Sequence, residues 1–372
     1  MLSRATTKTF TWLIVFLIFI TTVGVGFALG FKYVLSQNQR FANFETKLKE
    51  IGVDTPGAVM IVVKQGSDTS DISNSLSDLG VINNKFAFKF MSKINGFDGQ
   101  YKAGTHFVKS DMSYDEIMYM LSLEPQTVRV TFPEGLSYRD VKDKLIKAGV
   151  LFDETILDNM VNNPALFLEY DFVTQIPKVE GRQWLLQGYL FPDTYEFDMN
   201  TNEESIIRTF LENAKRRLIP ELYERAKTMN YTMDQVITLA SVVEMESGKL
   251  EEMDMVAGVF TNRLKAKNHG TGNRLESDAT LNYIKKELKQ TASLIITNED
   301  KAIVSPYNTY MNKGLPIGPI CSPGMDAIRA VLWPAKHGYY YFVSKNDGTG
   351  ASAYAATQNE HFNNVNKYLG KR

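Results

Sequence analysis

Two glutamates separated by one residue close an otherwise apolar run, Leu239-Ala240-Ser241-Val242-Val243-Glu244-Met245-Glu246-Ser247. Thr232 with Gln235 three residues later forms a capping box, which predicts a helix that starts there and runs toward Gly248. At about 100° per residue, Val236, Leu239, Val242 and Val243 share one face; Glu246 falls about 20° from Leu239, and Glu244 about 140° away. The apolar stripe therefore carries Glu246. A carboxyl held in apolar surroundings resists ionisation and keeps a proton to donate near neutral pH, as a general acid must. A plainer reading competes on the helix alone, in which Glu246 reaches solvent or pairs with a base such as Arg263.

The elements that would position such an acid follow it along the chain. Val256 to Leu264 predicts a second helix ending in Asn262-Arg263, and Leu275-Glu276-Ser277-Asp278-Ala279-Thr280 a compact polar turn before another helix. Ser305-Pro306-Tyr307-Asn308-Thr309-Tyr310 and the run from Gly314 to Gly324 form a shaped loop rich in Gly, Pro and hydrogen-bonding side chains, the kind of group that oligosaccharide binding uses. Upstream, Gly188 to Tyr195 is a dense aromatic cluster; flat rings suit sugars, but the core is the favoured reading. Helices are expected to dominate from Glu203 to about Lys265.

The N-terminal third has another texture. Ala58 to Val63 reads as a buried strand ending at Gly66, followed by a helix through Ile72, Leu76 and Leu79 that stops at Gly80. Val128 to Phe132, Gly135, Val141, Leu145 and Gly149 repeat this strand-turn-helix pattern at an offset of 69 residues, although such patterns also recur by chance in α/β chains. Tyr101 to Thr105 reads as a turn, and Tyr114 to Leu123 as an amphipathic helix. The expected fold class is α+β.

Phe10 to Phe31 is 22 residues without a charge, long enough to cross a bilayer. Arg4 and Lys8 precede it, which places residues 1–9 in the cytoplasm and the body outside, in a single-pass protein of the cell membrane. A cleavable signal peptide fits less well, because the apolar run is long and Gly26-Phe27-Ala28 is a poor cleavage site. Residues 32–56 read as a stalk. The 41 basic and 42 acidic side chains leave no global field for nucleic acid. One cysteine, Cys321, excludes an intramolecular disulfide framework; four histidines without metal-ligand spacing argue against zinc, and neither metal nor cofactor is expected.

Five ordered segments resemble the YceG-like endolytic murein transglycosylases: Val243-Glu244-Met245-Glu246-Ser247; Val259-Phe260-Thr261-Asn262-Arg263-Leu264; Glu276-Ser277-Asp278; Tyr307-Asn308-Thr309-Tyr310 with the Gly-Leu-Pro-Ile-Gly-Pro loop; and Tyr340-Tyr341-Phe342-Val343. The resemblance implies a LysM-like module over 57–125, a catalytic domain over 126–372, and Glu246 as the catalytic acid. It further implies lytic cleavage of the MurNAc-β-1,4-GlcNAc bond of peptidoglycan, leaving 1,6-anhydro-MurNAc ends. Ser277, Asn308, Thr309 and Tyr310 become candidates for holding the sugar, with Glu244 and Asp278 beside them and Arg263 bracing the site. The expected partners are glycan strands, the membrane and peptidoglycan synthases. Glu276 stands where the family usually has Gln, Ala279 where it has Pro, and the turn through Asn268-His269-Gly270-Thr271-Gly272 is longer than the family's. Two other classes stay open: a lysozyme-type hydrolase using Glu244, Glu276 or Asp278 as a second carboxylate, and a non-catalytic glycan-binding scaffold.

Overall fold

The structure is a computed structural model that describes residues 12–30, 32, 44, 48, 51–52, 55–266, 270–292 and 296–370. The arm over 1–9, most of the segment read as a stalk, and Asn268 and His269 lie outside the described residues. Helix α1 (Trp12–Gly30) is, among the described residues, the one helix long and apolar enough to cross a membrane. The rest divides into two compact units at Gln126/Thr127.

The smaller unit runs β1 (Ala58–Val63), α2 (Thr69–Asp78), α3 (Lys85–Ile94), β2 (Gly104–Lys109) and α4 (Tyr114–Ser122). β1 and β2 pair antiparallel, Ala58 opposite Lys109 and Val63 opposite Gly104. Caps fix the helix starts: Asp68 accepts from Asp71 N–H at 2.8 Å, Asn84 from Ala87 N–H at 3.0 Å, and Ser113 with Glu116 closes a capping box. Ile61, Ile72, Leu76, Phe88, Val108, Ile117 and Leu121 make the core, and Leu48 is buried with them, so the end of the presumed stalk belongs to this unit. Periodicity does not announce α3 or β2. Phe86, Phe88 and Phe90 alternate as a strand would, yet only Phe88 is buried, and the turn read at Tyr101 to Thr105 leads straight into β2.

In the larger unit β3 (Thr127–Phe132) and α5 (Tyr138–Lys147) begin 69 residues after β1 and α2, with Gly66 and Gly135 at φ of 82° and 80°. β3 pairs antiparallel with β4 (Asp193–Asp198), which the aromatic cluster leads into. Tyr189, Phe191 and Tyr195 are buried, and Tyr195 and Phe132 lie 4.7 and 5.0 Å from the Phe210 ring, so these aromatics are core. Between and after these strands come α6 (Glu154–Val161), α7 (Asp171–Thr174), α8 (Glu203–Arg217), α9 (Pro220–Thr228), α10 (Met233–Glu246), α11 (Met253–Lys265), α12 (Asp278–Glu287), α13 (Asn298–Lys301) and α14 (Met325–Leu332). A hairpin of β5 (Tyr341–Ser344) and β6 (Ser352–Ala355), then α15 (Gln358–Tyr368), ends the described chain. α10 is the spine: every residue from Val236 to Val243 is buried. At its start Asp234 takes both guanidinium arms of Arg182, at 2.7 and 2.8 Å, and the Tyr189 hydroxyl at 3.0 Å, all out of solvent.

Candidate active site

α10 delivers its two glutamates to different places. Glu246 Oε1 accepts the Ser277 hydroxyl at 2.6 Å and the Ala279 N–H at 3.1 Å, at the first turn of α12, while the residue stays partly open to a cleft of about 660 Å³. Ser277, the N-cap of α12, thus spends its hydroxyl on Glu246 and not on its own helix. Burial pushes the Glu246 pKa up, and the Asp278 charge adds to that; the two hydrogen bonds and Arg263 pull the other way without prevailing. The site can therefore keep a proton on Glu246 and, once the proton is given away, soften the anion with the positive end of α12.

The turn before α12 is held under strain. Glu276 has φ of 50°, which only surrounding bonds can maintain in a residue with a side chain. Its N–H donates to Thr309 O at 3.1 Å, Ser277 N–H donates to Thr309 Oγ1 at 3.0 Å, and Thr309 and Thr280 share a hydroxyl bond of 2.9 Å. From the other side the buried Arg263 guanidinium donates to the carbonyls of Leu275 and, at 2.6 Å, Tyr340, and lies 5.5 Å over the Tyr341 ring. A single cation so joins α11, the Glu276 turn and the start of β5.

Comparison with known proteins bears on this arrangement. The family model of the YceG-like family matches residues 61–367. The chain belongs to this family. An endolytic murein transglycosylase of Bacillus subtilis strain 168 is 30% identical over 87% of this chain and 89% of that protein. Two pneumococcal proteins of the same name are 30% identical over 97% of this chain, which spans 66% of their length. A crystal structure of a YceG-like protein from Listeria monocytogenes superposes with a TM-score of 0.55 at 28% identity, over 82% of this chain and 98% of that one.

Among the YceG-like candidates, Glu246, Arg263, Asp278 and Tyr310 line the cleft together, with Glu276. The Tyr310 hydroxyl donates to Asp278 Oδ1 at 2.6 Å, and Lys301 Nζ sits 4.9 Å from the Tyr310 ring. Asn308 and Thr309 are brought close but face inward. Asn308 is fully buried and spends its amide on Lys301 O, Ile303 O and Tyr310 N–H, so it shapes the loop where the sequence suggested a sugar contact. Glu244 is not brought to the cleft at all. Its Oε2 accepts Gly324 N–H at 3.0 Å near Glu134 and Asp326, and burial with those charges raises its pKa.

One wall of the cleft continues from the Tyr340 to Val343 motif into residues that the motifs do not include: Ser344, Ser352, Gln358, His361 and Val365. His361 stacks on Tyr341 at 5.2 Å; its Nδ1 is buried and without a partner among the described residues, and burial together with the Arg263 charge lowers its pKa. The capping box Thr357 to Glu360 is the signal that could have found α15. This wall meets α10 where Gly248 and Gly350 touch backbone to backbone: a β carbon on Gly248 would lie 2.7 Å from Gly350 O. Among the described residues no group of His, Cys, Asp and Glu is arranged to hold a metal ion.

Proposed function

We propose that the protein is an endolytic peptidoglycan transglycosylase that cuts the MurNAc-β-1,4-GlcNAc bond and leaves 1,6-anhydro-MurNAc ends. The observation that carries this reading is Glu246, its pKa raised by burial yet its carboxyl open to a cleft of sugar size lined by Tyr, Asp, Arg and His. With Oε1 engaged by Ser277 and Ala279, the proton sits on Oε2. Glu246 gives it to the leaving glycosidic oxygen; the resulting carboxylate then takes the proton of the muramoyl 6-hydroxyl as that oxygen closes on C1. One group performs both transfers, and no water is consumed. The names of the relatives support the substrate and reaction class.

The small unit, with its antiparallel strand pair and the two helices between, suits a LysM-like glycan-holding role. α1 suits an uncleaved anchor with the N-terminus in the cytoplasm and the body outside, where the enzyme would meet newly made strands beside the synthases. Glu276 and Asp278, in the same cleft, keep a two-carboxylate hydrolase as the second reading. Mass spectrometry of glycan products from purified peptidoglycan separates the readings. Anhydro-muramoyl ends from the wild type and none from Glu246→Gln are expected; reducing ends would replace the lytic mechanism with hydrolysis, and no product from either would leave a scaffold.

A further inference from the structure

α3 turns half of its surface to solvent, and that half is patterned. Phe88 and Ser92 face the core of the small unit at 0% exposure, while on the opposite side Phe86, Phe90 and Ile94 are 76%, 58% and 58% exposed. The Phe86 and Phe90 rings stack at 6.4 Å with an interplanar angle of 11°. Immediately before each of these apolar residues stands a lysine, Lys85, Lys89 and Lys93, all exposed, and the helix contains no acidic residue. At about 100° per residue the apolar row and the cationic row are adjacent stripes on one face. A soluble surface rarely exposes two stacked phenylalanines and an isoleucine in a row, whereas a helix lying in a lipid headgroup layer has this layout.

The chain itself indicates which surface is near. Seventeen residues, 31–47, separate the end of α1 from Leu48, which is buried in the same unit as α3. Even fully extended, they reach no more than about 60 Å. If α1 spans the bilayer, the small unit stays beside it at high effective concentration. We propose that α3 docks on the membrane surface, with Phe86, Phe90 and Ile94 entering the headgroup boundary and Lys85, Lys89 and Lys93 facing the phosphates of anionic phospholipids. Lys85 and Lys89 reach Asn74 and Ser70 of α2 at 3.1 and 3.3 Å, and Lys85 lies 3.8 Å from the Asp78 carboxylate, exposed contacts that a phosphate can replace. The inference rests on α1 being an anchor and is independent of the reaction at Glu246.

The test uses the full chain in proteoliposomes of anionic phospholipid, carrying an environment-sensitive fluorophore at Ile94→Cys or, as a control, at the exposed Glu124→Cys. Cys321 is buried and does not compete for the label. Brominated lipid should quench the position-94 probe about threefold more than the control. That difference should collapse in Phe86→Ser/Phe90→Ser and in Lys85→Glu/Lys89→Glu/Lys93→Glu, and shrink in zwitterionic lipid. Equal or absent quenching at the two positions overturns docking. Loss of quenching on addition of soluble glycan strands also overturns it, by giving the face to the glycan. Retention of the chain through an alkaline wash and flotation reports the anchor separately. A retained chain without quenching defeats the docking alone, while a chain that washes off defeats the anchor and the docking with it.

Discussion

The Glu246 pKa is raised because burial outweighs its two hydrogen bonds, and the Asp278 charge adds to the effect. Two outcomes follow from the sign of that shift. The proposed mechanism needs the protonated form, so activity should fall as pH rises through the raised Glu246 pKa; Asp278→Asn removes a charge that raises it and should move this limb of the pH-rate profile to lower pH. Stability obeys the same logic. In the unfolded chain Glu246 ionises near its ordinary value of about 4.3, while the folded site resists, so stability is full below that value and is lost as pH rises through the folded pKa. Glu246→Gln escapes the loss and keeps an oxygen for Ser277 and Ala279. Its Tm should exceed that of the wild type at about pH 8 and the two should converge near pH 4, while turnover drops by about 10²–10⁴-fold. A wild type that is the more stable at pH 8 would mean that Glu246 is not held protonated.

α10 shows how far sequence reading reaches. The capping box at Thr232, the helix and the different faces of Glu244 and Glu246 were legible, because 3.6-residue periodicity separates two glutamates two positions apart, but the expected place of Glu244 beside the sugar was not met. The reason differs in part from the expected stripe. The helix is buried on every side through Val243, so angle decided which wall each glutamate meets, the α12 turn or the Gly324 loop. Asn308 and Thr309 carry sugar-binding chemistry by type, but loop geometry spends it inside the protein, and no pattern in the sequence reports that. Arg182 and Asp234, 52 positions apart, could not be paired by periodicity either. Their pair sets the start of the helix that ends at Glu246. Asp234→Ala leaves a buried guanidinium without its partner, for which about 3–5 kcal/mol of lost stability is expected in denaturant titration. A loss below about 1 kcal/mol would show that Arg182 finds another acceptor.

At the scale of the whole molecule, α1 is what would confine the reaction in space. With residues 1–31 replaced by a cleavable signal, the freed body should cut older wall as well as new, and the strand-length distribution should change; an unchanged distribution would remove the anchor from the account of function. The C-terminal hairpin and α15 complete the cleft from a distant part of the chain, through Arg263 on the Tyr340 carbonyl and through Gly248 against Gly350. That last contact has an implication for sequence drift. Neither backbone leaves room for a side chain on the other, so the two positions share one vacancy, and filling it from either side pushes the far wall off α10. A saturation library would find both glycines intolerant in singles. Pairing the two substitutions should not rescue them, because two methyl groups need twice the space and offset nothing: the protein can change these residues only by moving the loop between β5 and β6.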